Sequence, residues 1–461
     1  MTEDHLLRVL GVDGTTGRPL DPVPESEARR WVERARPRPP RYGVATGDLS
    51  SAAWGVVVPE GVDAEVLDAL EPLLEHRQRQ AGELYQQLTY RAGEDAATFR
   101  SRLRASFGRV DPRQVPWYLL LVGSPDEIPH GFELDLSLPH AIGRLAFDDP
   151  NDLAAYAERV VAAERQQLDR VPRAALCAPS HPGDTSTRQC IEYLAQPLLE
   201  LLDRRIPCTH LIGEAARRDS LLELIHGAPD LLIFAGHGTA FGYDSPSQLA
   251  LQGSLVCADW PGQDAIPAEY TVTAADLQPG ALPGGIAILF GCHTVGTPRY
   301  DIFDSVEKSH PLASRAFVSA IAQRLLGREG GALAVIGHVG RAFEASFVWR
   351  GVPQINPFED TLHALLDGCR LGEALDGFGQ RYAELGLAWN QSRLDGASPA
   401  PDPLDLWRAY NDAHSWSLIG DPAVRLPAAN GKTARGKTTN GNTTNGNTTN
   451  GNTTNGNTAT G

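Results

Sequence analysis

Six short apolar runs recur along the chain, and none alternates with polar residues: W-G-V-V-V (54–58), W-Y-L-L-L-V (117–122), A-A-L-C-A (174–178), L-L-I-F-A (231–235), I-A-I-L-F (286–290) and A-L-A-V-I (332–336). A strand with one wet face alternates with period two, so an unbroken run marks a strand buried on both faces. Between these runs lie segments with apolar residues at helical spacing, over 63–90, 152–167, 186–204, 311–326, 359–367 and 371–385. Ser309 before Pro311 and Gly327 past Leu326 fit the start and stop signals of a helix. Strands alternating with helices predict an α/β fold, a largely parallel sheet with helices on both faces.

The ends of the chain read differently. Residues 1–45 are rich in Arg, Pro and Glu, with P-R-P-P at 37–40, and read as an extended lead-in with one short helix over 25–35. Residues 429–461 carry a T-T-N-G-N repeat with almost no apolar side chain. Such a segment has no core to bury and is expected to be disordered.

Several function classes are disfavoured. A net charge of -16 repels phosphate backbones, so nucleic acid is not an expected partner. Six cysteines at 177, 190, 208, 257, 292 and 369 form no C-x-x-C, which argues against a disulfide framework or a zinc site. No cofactor or metal is expected. No stretch approaches a membrane span, and the opening M-T-E-D-H is unlike a signal peptide, so a cytoplasmic protein with free thiols is the expectation. G-K-T-A-R-G-K-T (431–438) has the spacing of a phosphate loop but lies in the repeat tail, without the strand and helix that motif needs. No G-x-S-x-G is present.

The chemistry-bearing residues gather at strand ends: G-H-G at 236–238, G-C-H at 291–293 and G-H at 337–338. In open α/β sheets ligands sit beyond the carboxyl ends of the strands. A thiol becomes a good nucleophile when an imidazole takes its proton, which casts Cys292 as nucleophile and His237 as base. The N–H groups of Gly238 and Cys292 would then form an oxyanion hole. Each residue alone also fits a plain core role. His293 directly follows Cys292, should point away from it, and reads as structural. His338 is a candidate for a substrate pocket. Asp244 and Asp259 are candidates for a pocket accepting Arg or Lys, or else turn residues. The polar stretch 297–311 reads as an exposed loop with Arg299, Asp301 and Asp304 as candidate processing points.

F-A-G-H-G-T (234–239) and L-F-G-C-H-T-V-G-T-P (289–298) resemble the His and Cys motifs of the caspase-like clan of cysteine peptidases, in its bacterial gingipain-like and CHAT branch. Caspases likewise place their His about 50 residues before the Cys. The resemblance extends through W-Y-L-L-L-V-G-S-P-D-E-I-P (117–129), A-I-G-R-L-A-F-D (141–148), L-Q-G-S-L-V-C-A-D-W-P-G (251–262), G-G-A-L-A-V-I-G-H-V (330–339) and W-S-L-I-G-D-P-A-V-R-L (416–426). It implies a Rossmann-like catalytic domain over 171–428, preceded by a related α/β subdomain over 46–170. It also implies a Cys292–His237 dyad with Gly238 in the oxyanion hole, a protein or peptide substrate and an activating partner protein. The caspase signature Q-A-C-x-G is absent, so strict Asp specificity does not carry over. By resemblance the setting is bacterial defence or cell death. The alternative is a catalytically silent caspase-like scaffold.

Overall fold

The computed structural model describes residues 44–427 apart from 106–107, 109, 166–169, 263–265, 302–310, 328–329 and 395–402, together with the strand pair Leu6–Leu7 and Val23–Pro24. The helix expected over 25–35, the repeat tail and Asp304 lie outside the described residues.

Ten strands form one sheet: β1 (Trp54–Pro59), β2 (Tyr85–Tyr90), β3 (Tyr118–Val122), β4 (Ala141–Leu145), β5 (Ala174–Pro179), β6 (Cys208–Gly213), β7 (Leu231–Ala235), β8 (Ile286–Phe290), β9 (Ala334–His338) and β10 (Trp416–Gly420). Their spatial order is β2-β1-β3-β4-β10-β9-β8-β7-β5-β6. Strands β1 to β4 are mutually parallel, as are β5 to β9. Strand β10 joins the two sets, parallel to β4 and antiparallel to β9. The two sets therefore point opposite ways. The carboxyl ends of β5, β7, β8 and β9 collect on one rim of the sheet, and those of β1 to β4 on the other.

The strands read from unbroken apolar runs lie inside the sheet. Four strands escape that reading: β4 and β10, whose runs A-I-G-R-L and W-S-L-I-G are broken by Arg144 and Ser417, and β2 and β6, the outermost strands of the sheet. Their sequences, Y-Q-Q-L-T-Y and C-T-H-L-I-G, are partly exposed along their length, so they carry no continuous apolar signature. The helix expected over 63–90 stops at Ala81, capped by Gly82 at φ 60°, and the chain turns into β2. The helix expected over 311–326 begins at Ala320, where the Ser319 hydroxyl caps Ala322 N–H at 3.3 Å. Upstream of it, Phe317–Val318 pairs with Gly296–Thr297 just past Cys292, so that backbone is spent on the strand pairing.

Eight helices carry the argument: α1 (Ala64–Ala81), α2 (Pro150–Arg165), α3 (Thr185–Cys190, continuing through a π turn into Gln196–Asp203), α4 (Arg218–His226), α5 (Ala320–Leu326), α6 (Asn356–Leu366), α7 (Asp376–Leu394) and α8 (Pro403–His414). Helix α1 buries Leu70, Leu73, Leu74, Arg77 and Ala81, one face at helical spacing, and packs on α2. Arg77 is fully buried and answers its charge twice: Nε reaches Asp421 Oδ2 at 2.7 Å and Nη2 reaches Glu164 Oε1 at 2.7 Å. Trp54 Nε1 donates to the other Asp421 oxygen at 3.0 Å, and Tyr156 hydroxyl accepts from Asp421 N–H at 2.6 Å. This buried cluster ties β1, α1 and α2 to the residue that follows β10, across the seam between the two strand sets.

Candidate functional site

Register places the central pair. In the β7–β8 ladder Ala235 lies opposite Phe290, and the two backbones stay in contact past the strand ends, which brings His237 and Cys292, each two residues on, to neighbouring positions on the rim. Gly236 N–H extends the ladder to Phe290 O at 3.0 Å. A Cβ on Gly238 would lie 2.0 Å from Cys292 O, so only glycine lets the two backbones touch there. Leu255–Val256 secures the other side, with Val256 N–H donating to His237 O at 3.0 Å and Thr239 N–H to Ser254 O at 3.0 Å. Beyond Cys292 the chain reverses at once. His293 takes φ 60° and donates its N–H to Gly340 O at 2.6 Å. The His293 ring is buried, with Nδ1 3.0 Å from Thr297 Oγ1. Burial and the charge of Arg341 push its pKa down to about 4.

A carboxylate completes the group. Asp184 follows β5, the strand next to β7, and caps helix α3 by accepting from Ser186 N–H at 2.9 Å. Its Oδ2 accepts the Thr187 hydroxyl at 3.0 Å and lies 2.6 Å from His237 Nε2. Burial pulls the Asp184 carboxyl upward, but the His237 hydrogen bond and charge, with Thr187 and Ser186, outweigh it and hold it below the ordinary range. It is therefore an ionised acceptor at neutral pH. His181 stacks on His237 with ring centres 5.7 Å apart, and Trp260 meets both imidazoles edge-on. The His181 pKa is lowered, chiefly by burial, so a neutral ring backs His237.

The Cys292 sulfur is held from one side. Ala342 N–H donates to Sγ at 3.4 Å, and the thiol points to Ala342 O at 3.6 Å. Burial raises the thiol pKa, and the Ala342 N–H and Arg341 oppose that rise. Phe343 N–H, one residue on, donates to Asp412 Oδ1 at 2.8 Å, and Ser346 hydroxyl to Asp412 Oδ2 at 2.6 Å.

Of the residues singled out in the sequence and described in the structure, Gly238 and Cys292 touch through their backbones with His237 beside them. His338 is fully buried, its ring 4.3 Å from Trp416 and 5.4 Å from Phe290, with Nε2 3.3 Å from Asp412. It lines no surface a substrate can reach, because β10 and the Asp412 segment cover it. Asp244 is exposed on a turn. Asp259 accepts from Arg218 N–H at 2.6 Å and anchors the start of α4. Arg299 is exposed and lies over the Tyr300 ring. Asp301 is ion-paired with Arg341. Sequence reasoning missed Asp184, His181, Trp260 and Arg341. The usable signal for Asp184 is that the helix it caps follows a third strand end on the same rim. Among the described residues, no group of three or more His, Cys, Asp or Glu is placed to hold a metal ion.

Comparison with known proteins identifies the family. The model of Peptidase family C25 matches residues 62–427. The chain belongs to peptidase family C25. It is a cysteine peptidase of the caspase-like clan, and its substrate is protein or peptide. Among solved structures, the peptidase is similar in fold to the Arg-specific cysteine proteinase gingipain R, with a TM-score of 0.50 at 13% identity over 82% of this chain and 79% of that one. The complex of Porphyromonas gingivalis RgpB pro- and mature domains matches with a TM-score of 0.49 at 13% identity, over 82% of this chain and 80% of that one. Among curated proteins none matches the chain.

Proposed function

We propose that the protein is an endopeptidase working through Cys292 and His237, with Asp184 orienting the imidazole. The observation that carries this is the 2.6 Å contact between Asp184 Oδ2 and His237 Nε2, beside a cysteine one strand away. An ionised carboxylate only accepts, so it fixes the ring proton on Nε2 and leaves Nδ1 to take the thiol proton. The thiolate then attacks the peptide carbonyl, and an Sγ–C bond forms as the carbonyl oxygen becomes negative. The N–H groups of Gly238 and Cys292 stabilise that oxygen. Collapse breaks the C–N bond, with the proton on His237 passing to the leaving amine. Water, deprotonated by the same imidazole, releases the acid and restores the thiol.

The same proposal places the enzyme in the cytoplasm, where its six free cysteines stay reduced. A role in bacterial defence or cell death, and activation by a partner protein, rest on the resemblance of its His and Cys motifs. The second reading, a silent scaffold, draws on the enclosed Cys292 sulfur and its raised pKa. Fluorogenic peptides varied at the cleaved residue separate the two. The enzyme reading expects turnover by the wild type and none by Cys292→Ala; equal turnover by both would sink it.

A further inference from the structure

The segment Gly340–Phe343 is built against the nucleophile. Gly340 O receives His293 N–H, Gly340 N–H donates to Gly296 O at 3.0 Å, and Ala342 touches Cys292 Sγ through both its backbone groups. Arg341 lies between these anchors. Its positive charge opposes the rise that burial gives the Cys292 pKa and adds to the fall that burial gives the His293 pKa. Its side chain is 46% exposed, so it stands at the site without being sealed into the core. Asp301, from the loop after Cys292, is only 10% exposed and forms an ion pair with it.

Among the described residues, four acidic side chains near this site are engaged. Asp184 holds His237, Asp412 is fully buried and receives Phe343 N–H and Ser346 hydroxyl, and Asp301 pairs with Arg341. Asp259 is spent on the start of α4. A basic substrate side chain brought to this position would meet the Arg341 cation. An acidic one would replace Asp301 on Arg341, exchanging one carboxylate for another and leaving the guanidinium paired throughout. Like charges brought together cost affinity, and opposite ones select register.

Resting on the peptidase reading above, we propose that Arg341 determines specificity, binding an acidic side chain on the substrate residue whose carbonyl is attacked, with Asp301 occupying that guanidinium when no substrate is bound. This sets the protein apart from the Arg-specific gingipain R it resembles in fold.

The test is kcat/KM on peptides differing only in Asp, Glu, Ala, Lys or Arg at the cleaved residue, with Cys292→Ala as blank. The wild type should favour Asp or Glu over Lys or Arg by about 10- to 100-fold, the range of a hydrogen bond to a charged group. Arg341→Glu should invert the order, and Arg341→Gln should flatten it. Asp301→Asn should keep the acidic preference and lower KM for acidic peptides, a result that does not depend on changing Arg341. Thermal melts of each variant separate lost selectivity from lost folding. A wild type preferring Lys or Arg, or an Arg341→Gln variant that folds and keeps the wild-type order, overturns this assignment while Cys292-dependent turnover leaves the peptidase reading standing. No Cys292-dependent turnover of any peptide removes both.

Discussion

Asp184 and His237 lie 53 positions apart in sequence, yet their Oδ2 and Nε2 atoms stand 2.6 Å apart at the ends of neighbouring strands. The same carboxylate caps helix α3, so its position is set by a helix start and not by a flexible loop. Asp184→Asn keeps an N-cap acceptor but presents an amide that can donate to Nε2 and favour the wrong tautomer. Turnover should fall by about 10²–10⁴-fold, the scale of general acid–base catalysis, with melting nearly unchanged. Asp184→Ala should lose the same turnover and about 1 kcal/mol of stability from the missing cap. Steady-state kinetics paired with thermal melts would show this; full activity in Asp184→Asn would remove it from the mechanism.

Gly238→Ala tests the approach of the two strand ends. The new methyl would lie 2.0 Å from Cys292 O, so the backbone carrying either the base or the nucleophile has to shift. A shift of this size at reacting atoms costs on the order of 10²-fold in rate. Gly253→Ala makes a control, since its Cβ meets His293 O at 2.2 Å behind the site and its φ of 78° disfavours a side chain. That variant should lose stability first. Comparing kcat with melting temperature for the pair tells the two effects apart.

The cluster at Arg77 predicts strong coupling across the sheet. Removing one partner, as in Arg77→Met, leaves Asp421 and Glu164 buried with a charge unanswered and should cost about 3–5 kcal/mol. Arg77→Met combined with Asp421→Asn should lose less than the sum of the two single variants. Urea unfolding of the four proteins gives the coupling; strict additivity would contradict a shared network.

Acid stability should turn on Glu133. It is buried against Arg144 Nε at 2.7 Å and receives the Ser417 hydroxyl. Burial pulls its pKa up, but Arg144, His130 and Ser417 outweigh that and bring it down to about 2. An unfolded glutamate titrates near ~4.3. The folded value lies below the unfolded one, so the contribution of Glu133 is whole above about pH 4.3 and is lost as pH falls toward 2. Melts at pH 7, 4, 3 and 2.5 should show this loss, and Glu133→Gln should be less stable at pH 7 with a flatter slope in that window.

Burial on both faces writes itself into a local run of residues, so β1, β3, β5, β7, β8 and β9 were legible, two of them to the residue at Leu231–Ala235 and Ile286–Phe290. His237 and Cys292 were legible for the same reason, since each closes such a run beside a glycine. What the sequence determined is therefore the buried strands and the two residues that end them. Tertiary structure decided the rest. Strands β2 and β6 have one neighbour each and a wet flank, β4 breaks its apolar run with Arg144, whose charge is answered by Glu133, and β10 is defined by the two halves it joins. Asp184 is indistinguishable from any helix cap until β5 is seen beside β7, and Arg341 from any loop arginine until Ala342 is seen on Cys292 Sγ. Hydrophobic burial is a property of a segment, whereas a hydrogen bond or ion pair is a property of two segments, and only the fold states which two meet.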